Sequence, residues 1–373
     1  MIKIGTDFSG IGAPEQALKN LGYDFENVFF CEIDKHAARS YQAIHASKKY
    51  YEDITKRDHA EVEPLDLYVA GFPCQSFSMA GKRKGWATDE NGQPVDKRGT
   101  LFFDVAKFIQ INQPKVFILE NVKGLLSHEG GKTYQTITDI LTNGGGTLNG
   151  QMSLDVFDDG LGYHVYAQVL NSKHHGVAQN RERIFIVGFK DFRPFSFPKK
   201  EPLKKKLKDI LEDEVNEKYY LSDKAIQGFL KHKDHYIEVK SATKEGYEIA
   251  QEGDSINFKN PNSKTRRGRV GKQIRQTIEA NNEVGVFRNV PEISPTLCAE
   301  GMQTSTRLTA QNLFKTGFIR RFTPLECWRL QDFPDEAFYK AQAVTSDSQL
   351  YRQAGNSITV RVIQKLIKKI YET

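Results

Sequence analysis

The sequence predicts an α/β protein with a Rossmann-like, mostly parallel sheet that carries helices on both faces, followed by a smaller, loop-rich domain. Through the first 190 residues, short apolar runs alternate with amphipathic segments, which is typical of strands and helices in a parallel sheet. After Phe189 the composition changes, and residues 190–315 are lysine-rich, weakly periodic and rich in turn residues. This change predicts a separate domain of short strands and long loops.

The elements of the first domain can be placed in order. Apolar runs predict strands at residues 2–6, 28–32, 66–71, 116–120, 164–170 and 184–189. Helical periodicity predicts helices at residues 13–21, 35–46, 101–111, 134–141 and 359–371. The glycine-rich residues 142–151 predict a surface loop. We expect the last helix to return to the first sheet, so that one domain comprises residues 1–190 and 345–373 and the other, with the hinge, residues 191–344.

Composition restricts the class of protein. The 373 residues carry a formal net charge of +6 and are 39% hydrophobic, without an apolar run near twenty residues, which predicts a soluble protein. No charged-then-apolar leader opens the sequence, so we expect no secretion signal and a cytoplasmic location. The cysteines lack CxxC or metal-like spacing, which indicates a reducing compartment and argues against disulfides and a zinc site. They are Cys31, Cys74, Cys298 and Cys327.

Two chemically active groups each follow an apolar run. Cys74 lies in the segment GFPCQSFS, directly after the run at residues 67–70, and Glu120 ends the run at residues 116–119. In an open parallel sheet, both groups would project from the carboxyl edge, where ligands bind. A free cysteine is also commonly a small buried hydrophobic residue. The preceding proline and the polar residues that follow Cys74 favour a nucleophile with an acid beside it.

A glycine-rich turn follows the first predicted strand, with the sequence DFSGIG from residue 7. Such a turn lets backbone amides and a helix N-terminus approach a ligand closely. Glu32 ends the second strand, at a spacing typical of a carboxylate that binds ribose hydroxyls. Glu15 occupies the position of the third glycine of a dinucleotide fingerprint, so a simple tight turn is the alternative. Asp53 is suited to accept a hydrogen bond from an adenine amino group, or to be a surface acid.

Basic residues form three groups. Arg181 and Arg183 precede a predicted strand, and their guanidinium groups suit a carbonyl oxygen or a carboxylate, with a structural ion pair as the alternative. The sequence GKRKGW from residue 81 predicts a glycine-hinged basic lid. Residues 259–275 contain seven basic residues and no acid, which indicates either a solvated face or a surface for a polyanion. The seven are Lys259, Lys264, Arg266, Arg267, Arg269, Lys272 and Arg275.

In their order along the chain, these segments resemble the motifs of the cytosine-C5 DNA methyltransferases, particularly the bacterial modification enzymes. The resemblance covers nearly the whole chain and includes DFSGIG at residue 7, GFPCQSFS at 71, RGTLF at 98, ENV at 120, QNRER at 179, RFTPLEC at 321, RLQ at 329 and GNS at 355. It implies an S-adenosylmethionine-dependent methyltransferase fold. It also implies that the second domain recognises the DNA target.

The resemblance implies a role for each site residue. Cys74 would add to C6 of a flipped cytosine, Glu120 would protonate or hydrogen-bond N3, and Arg183, supported by Arg181, would bind O2. S-adenosylmethionine would be the methyl donor, although an aromatic residue that the family often has after the ribose-binding acid is here Ile33. Donor contacts are expected from Phe8, Ser9, Gly10, Gly12, Glu32, Ile33, Asp53, Ile54, Pro73 and Asn356. DNA contacts are expected from Lys82, Arg83, Lys84, Arg266, Arg267 and Arg269.

The resemblance further implies a bacterial or phage-encoded monomer that modifies double-stranded DNA in restriction–modification or genome protection, with any cognate endonuclease acting separately. The alternative is a transfer RNA cytosine-5 methyltransferase, against which the long basic region after Phe189 favours DNA. A non-catalytic DNA-binding relative should have lost Cys74 or Glu120. A dinucleotide-dependent oxidoreductase would leave Cys74 and the arginine pair unexplained. The other three cysteines are expected to be buried and structural.

Overall fold

A computed structural model describes residues 1–73, 101–142, 160–203, 206–220, 230–232, 236–257, 259–260, 263–277, 284–288 and 318–372. The strands described within the first 190 residues agree with the predicted apolar runs, apart from two short ones that the sequence analysis missed, β3 and β7. They are β1 (Ile2–Asp7), β2 (Phe25–Cys31), β3 (Lys49–Tyr51), β4 (Leu67–Ala70), β5 (Val116–Val122), β6 (His164–Asn171), β7 (Gln179–Asn180) and β8 (Glu182–Phe189).

The main sheet has seven strands in the order β3-β2-β1-β4-β5-β8-β6. The first five are parallel, as predicted, whereas β8 runs antiparallel to both of its neighbours, β5 and β6. An apolar run does not specify strand direction, so the sequence could not predict this reversal. After β1 the chain adds β2 and β3 on one side of the sheet, and after β4 it adds β5 on the other side. The loops that follow β1 and β4 therefore diverge and leave a crevice between them at the carboxyl edge.

The predicted helices flank this sheet. The helices described in the first part of the chain are α1 (Ala13–Leu21), α2 (Lys35–Ile44), α3 (Leu101–Asn112) and α4 (Lys132–Leu141). Those near its end are α5 (Pro324–Arg329), α6 (Asp335–Gln342), α7 (Asp347–Asn356) and α8 (Val360–Tyr371). Asp34 caps α2 by accepting from the amides of His36 and Ala37. The apolar face of α8 is buried and the helix packs against α1, which confirms its predicted return to the sheet.

Apolar residues of the sheet pack into one core on each face. Along β5, Val116 and Ile118 belong to one core, while Phe117 and Leu119 belong to the other, as the period of two for a strand requires. Helices α1 and α8 cover the first core, and α3 and α4 cover the second. Both faces of the sheet are therefore buried, which explains why its strands are almost continuously apolar.

Part of the region assigned to the second domain packs in the first core. Phe322, Trp328 and Phe338 lie in the same buried cluster as Ile4 of β1, and Trp328 Nε1 donates to the carbonyl of Leu350 at 3.1 Å. Burial of these large aromatic residues ties α5 and α6 to the main sheet. We therefore propose that the large domain resumes just before Phe322, earlier than the boundary at residue 345 that the sequence analysis expected.

The second domain is built from short strands, in agreement with the predicted loop-rich architecture. The strands are β9 (Leu230–His232), β10 (Ile237–Lys240), β11 (Tyr247–Ala250), β12 (Ser255–Asn257), β13 (Val270–Gly271), β14 (Arg275–Gln276), β15 (Val284–Arg288) and β16 (Phe318–Arg321). They form sheets in the orders β11-β10-β9 and β13-β12-β15-β16, while β14 pairs with β7. Within the described ranges, no helix is both long and apolar enough to cross a membrane.

Candidate active site

A cleft at the carboxyl edge of the main sheet brings together residues from separate sequence motifs. Its walls come from the glycine-rich turn after β1, the end of β4, the end of β5 and the end of α7. It opens to solvent, and the space within it that a water molecule can enter is about 30 Å³. The predicted site residues that line it are Phe8, Ser9, Gly10, Glu120 and Asn356. The predicted donor site and the predicted acid therefore share one cleft.

Glu120 and Arg183, which are far apart in the sequence, form an ion pair in this region. Arg183 Nε lies 3.1 Å from Glu120 Oε1, and both side chains keep some exposure, 18% for Arg183 and 11% for Glu120. The antiparallel pairing of β5 with β8 brings them together, because Val122 lies opposite Arg183. The sequence left two alternatives for Arg183, an ion pair or a substrate contact. Its ion-pair partner is Glu120, which is itself a predicted site residue, so the two alternatives are compatible.

Arg181 is buried, and its side chain is hydrogen-bonded to the wall of the cleft that contains Asn356 and Ser357. Its Nη2 donates to the carbonyl of Ser357 at 2.8 Å, and Ser357 directly follows Asn356 in the cleft wall. Arg181 therefore connects the segment after β7 to the loop between α7 and α8. The sequence analysis missed Ser357 and Ile358, which line the cleft beside Asn356. The sequence signal that could have identified them is the GNS motif, because Ser357 is its last residue and Ile358 follows directly.

Cys74 lies outside the described residues, as do Lys82, Arg83, Lys84 and Cys298. The segment that leads to Cys74 is well anchored. The ring of Phe72 is buried against Phe102, with 5.6 Å between ring centroids, and its carbonyl accepts from Asn121 Nδ2 at 3.4 Å. A Cβ atom added to Gly71 would lie 3.6 Å from Glu120 Oε2. The chain therefore passes beside Glu120 three residues before Cys74, and Asn121 is a contributor to which the sequence analysis gave no role.

The glycine-rich turn has a conformation that only particular residues permit. Gly12 has φ +78°, and a Cβ atom at this position would lie 2.4 Å from the ring of His45, so a side chain cannot fit. Ser9 faces inward: its Oγ donates to the carbonyl of Thr6 at 2.9 Å and accepts from the amide of Cys31 at 3.0 Å. The Ser9 side chain therefore joins β1 to β2, while Ser9 also lines the cleft and its contact with the donor remains a prediction.

Glu32 lies next to this turn. Its two carboxylate oxygens accept from the amides of Gly10 and Asp34, both at 2.8 Å. Burial raises the pKa of Glu32 above its usual value, although these amide hydrogen bonds oppose the shift. Ile33 follows with 66% of its surface exposed. Glu32 and Ile33 thus offer an acceptor and an exposed apolar side chain side by side.

Asp53 and Ile54 form a short turn after β3. Asp53 Oδ1 accepts from the amide and the hydroxyl of Thr55, at 3.0 and 2.8 Å, and so caps a single helical turn, Ile54–Lys56. Ile54 is buried in the core and anchors this turn. Pro73, the last described residue before Cys74, remains partly exposed. These residues are placed by local structure, and their contact with a ligand remains a prediction.

The basic run of the second domain is not a uniform surface. Arg269 is fully buried and donates to the carbonyls of Asn257, Lys259 and Asn260, at 3.2, 3.1 and 2.7 Å. Our assignment of Arg269 to DNA is therefore corrected, because a buried guanidinium that closes a loop does not face a phosphate. Arg266 is half-buried and Arg267 is exposed, so these two keep the predicted role as candidates.

The cysteines that are described agree with the sequence analysis. Cys31 and Cys327 are buried free thiols. Burial raises the pKa of both thiols well above the usual value, which keeps them protonated and unreactive. Neither is a competing nucleophile.

Comparison with known proteins identifies the family. Residues 3–372 match the family model described as C-5 cytosine-specific DNA methylase. The chain is 36% identical to the type II methyltransferase M.HpaII of Haemophilus parainfluenzae, over 98% of this chain and 88% of that protein. It is 32% identical to the orphan methyltransferase M.SPRI of Bacillus phage SPR, over 100% of this chain and 98% of that protein.

Solved structures agree in fold. The crystal structure of the S. pombe Dnmt2 methyltransferase superposes with a TM-score of 0.63 at 16% identity, covering 100% of this chain and 99% of that one. At this identity the likeness supports the fold alone. The family-model match over nearly the full sequence and the identity to these methyltransferases show that the chain belongs to the C-5 cytosine-specific DNA methylase family and is a DNA (cytosine-5-)-methyltransferase.

Proposed function

We propose that this enzyme transfers the methyl group of S-adenosylmethionine to C5 of a flipped cytosine in a specific duplex DNA sequence, through a bond between Cys74 and C6. The observation that carries the proposal is the single cleft in which the glycine-rich turn meets Glu120, with Arg183 paired to that carboxylate. The two kinds of relative, type II and orphan methyltransferases, support a role in restriction–modification or genome protection.

The residues around the cleft fit the proposed donor. When bound, S-adenosylmethionine supplies an electrophilic methyl group on a sulfonium. Phe8, Gly10 and Gly12 would shape the turn around it, and a Cβ atom at Gly10 would have no described atom within 4 Å, so the space there is open. Glu32 would accept from ribose hydroxyls and Ile33 would cover the adenine. The remaining proposed contacts are Asp53, Ile54, Pro73 and Asn356.

The side chains at β5 and β8 would prepare cytosine for reaction. C5 of cytosine is a poor nucleophile, so addition of the Cys74 thiolate to C6 divides a difficult step into two easier ones. The electron pair of the C5–C6 double bond then becomes available at C5, while Glu120 supports the charge that spreads to N3. Arg183 would hold the Glu120 carboxylate and bind O2. C5 would take the methyl group as its bond to the donor sulfur breaks, and the electron pair of that bond would stay on the sulfur, which becomes a neutral thioether. Loss of the C5 proton to a base, followed by departure of Cys74, would then restore the enzyme and leave 5-methylcytosine.

Replacing Arg266 and Arg267 together by glutamine should weaken binding of duplex DNA and flatten its salt dependence. Both lie on a loop of the second domain, and each arginine that contacts a phosphate contributes about one unit to the slope of log K against log salt. We expect the slope to decrease by about two if both arginines contact phosphates. Fluorescence anisotropy over a range of salt concentrations measures it.

Lys3 and Lys115 provide a matched control. They lie at the amino ends of β1 and β5, opposite the cleft, and pair with Glu63 and Asp66 at 2.9 and 2.7 Å. Their double replacement by glutamine removes the same charge and should leave the slope unchanged. Equal slopes for both double variants would show that Arg266 and Arg267 face solvent and do not contact DNA phosphates.

Transfer of a labelled methyl group tests the proposed function. The purified enzyme is incubated with labelled S-adenosylmethionine and with duplex DNA, single-stranded DNA or transfer RNA. Label should enter duplex DNA and appear as 5-methylcytosine after hydrolysis. Label in transfer RNA alone, or in another base, would contradict the proposal.

A further inference from the structure

A buried ion pair lies directly beneath the cleft. Asp7 ends β1 and lines the cleft, and Arg57 follows the turn that begins at Asp53. Arg57 Nη1 and Nη2 donate to Asp7 Oδ1 and Oδ2, both at 2.8 Å, and neither side chain has any exposure to solvent. This bidentate geometry fixes both the distance and the angle between the two groups. None of the roles assigned above uses this pair.

The surroundings of the pair exclude water. Tyr68 donates its hydroxyl to Asp7 Oδ2 at 2.6 Å, and Arg57 Nε lies 3.3 Å from His59 Nδ1. The guanidinium carbon lies 4.5 Å from the ring centroid of Phe29. Burial opposes the charge on Arg57, but Asp7 outweighs it and raises the pKa of Arg57, so the guanidinium stays charged.

Stability alone is a poor reason to keep such a pair. Removing two charges from water is costly, and an apolar pair of similar volume often serves a core as well or better. A buried ion pair is better explained when it fixes a geometry that an apolar contact would leave loose. What this pair could fix is the relative position of the two chain segments that carry Asp7 and Arg57.

Asp7 and Arg57 connect two walls of the proposed donor site. Asp7 immediately precedes Phe8 of the glycine-rich turn, while Arg57 ends the turn that carries Asp53 and Ile54. These turns follow β1 and β3, and β2 lies between those strands in the sheet. The Asp7–Arg57 pair spans this gap and joins the two turns through side chains.

We propose that Asp7 and Arg57 are positioning residues that set the spacing between two walls of the methyl-donor site, the glycine-rich turn after β1 and the turn that carries Asp53. The inference rests on the proposed function, because it requires S-adenosylmethionine to bind in this cleft. A purely structural pair would change stability when altered but would not selectively change binding of the donor.

Arg57→Lys tests the geometry while keeping the charge. Lysine lacks the fork that holds both carboxylate oxygens, so the turns lose their fixed spacing. We expect the Kd for S-adenosylmethionine to rise roughly ten- to a hundred-fold, a loss of about 1.4–2.8 kcal/mol of binding free energy. The KM for the donor should rise similarly, whereas kcat at saturating donor should change much less. Titration calorimetry and steady-state kinetics provide both values.

The double variant Asp7→Leu with Arg57→Met separates positioning from folding. It replaces the buried charges by apolar groups, so the protein should fold, with an unfolding temperature lowered only because the buried Tyr68 hydroxyl loses its acceptor on Asp7. Donor binding should nevertheless remain weakened, because an apolar contact has no fixed register. A folded double variant that binds the donor as tightly as the wild type would overturn the inference.

Arg320 provides a matched control. It forms a second buried bidentate pair, with Glu326, at 2.8 and 2.7 Å, where β16 meets α5. Arg320→Lys should lower stability but leave the Kd for the donor unchanged. An equal loss of donor binding in Arg57→Lys and Arg320→Lys would also overturn the inference. If the wild type itself does not bind S-adenosylmethionine, the proposed function fails instead, and the positioning role fails with it.

Discussion

Replacing Cys74 by alanine is expected to abolish methyl transfer while binding of S-adenosylmethionine persists. The sulfur is the proposed nucleophile, and alanine can form no bond to C6, so turnover should fall by a factor on the order of 10⁴ or more. The described segment before it, Gly71 to Pro73, is anchored by contacts of Phe72 with Asn121 and Phe102, so we expect the cleft to keep its shape in the variant. Single-turnover methyl transfer measures the loss, and calorimetry measures donor binding.

Cys327→Ala serves as the control for this experiment. Cys327 is a fully buried thiol in α5, so its removal should cost some stability through lost packing but should not stop the reaction. Methyl transfer at the wild-type rate by Cys74→Ala would refute the covalent mechanism. Loss of donor binding in that variant would show instead that Cys74 supports the fold of the cleft.

Glu120→Gln should lower kcat by two to three orders of magnitude with only modest changes in KM. Glutamine keeps the shape of the side chain and can offer a hydrogen bond to N3, but it cannot transfer a proton as the acid does. Loss of one group that stabilises developing charge typically costs about 2.7–4 kcal/mol in the barrier. The variant also removes the carboxylate that Arg183 contacts at 3.1 Å. Steady-state kinetics at saturating DNA and donor measure the effect.

Glu182→Gln is the matched control for Glu120. Glu182 directly precedes Arg183 but is exposed and pairs with Lys123 at 3.1 Å, so its replacement should change kcat little. Near-normal kinetics in Glu120→Gln would remove the proposed role at N3. A comparable loss of kcat in Glu182→Gln would show that the overall negative charge near Arg183, and not the specific position of Glu120, supports turnover.

Much of the first domain could be predicted from the sequence because local patterns suffice for it. The apolar runs located six of its strands, and the periodicity of residues 359–371 located α8 and its buried face. Placement of Cys74 and Glu120 after apolar runs predicted a site at the carboxyl edge, and Glu120 does line the cleft there. These predictions depend only on neighbours in the sequence and on the general geometry of parallel sheets.

Other features depend on partners that are distant in the sequence. The direction of β8 follows from its pairing with β5 and β6, and the earlier domain boundary that we propose rests on the packing of Trp328 in the main core. Arg266 and Arg269 are the same residue type three positions apart, yet only Arg269 closes a loop through three carbonyls. Composition cannot distinguish such residues, because burial decides the role of each arginine.

Base-resolution cytosine methylation in a host that lacks methylation tests the central claim most directly. Plasmid DNA and cellular RNA are sequenced after expression of the wild type or of Cys74→Ala. We predict methylation of C5 at one short DNA sequence with the wild type and its absence with the variant. Unmodified DNA, with or without methylated transfer RNA, or methylation that persists in the variant, would contradict the account of a Cys74-dependent DNA methyltransferase.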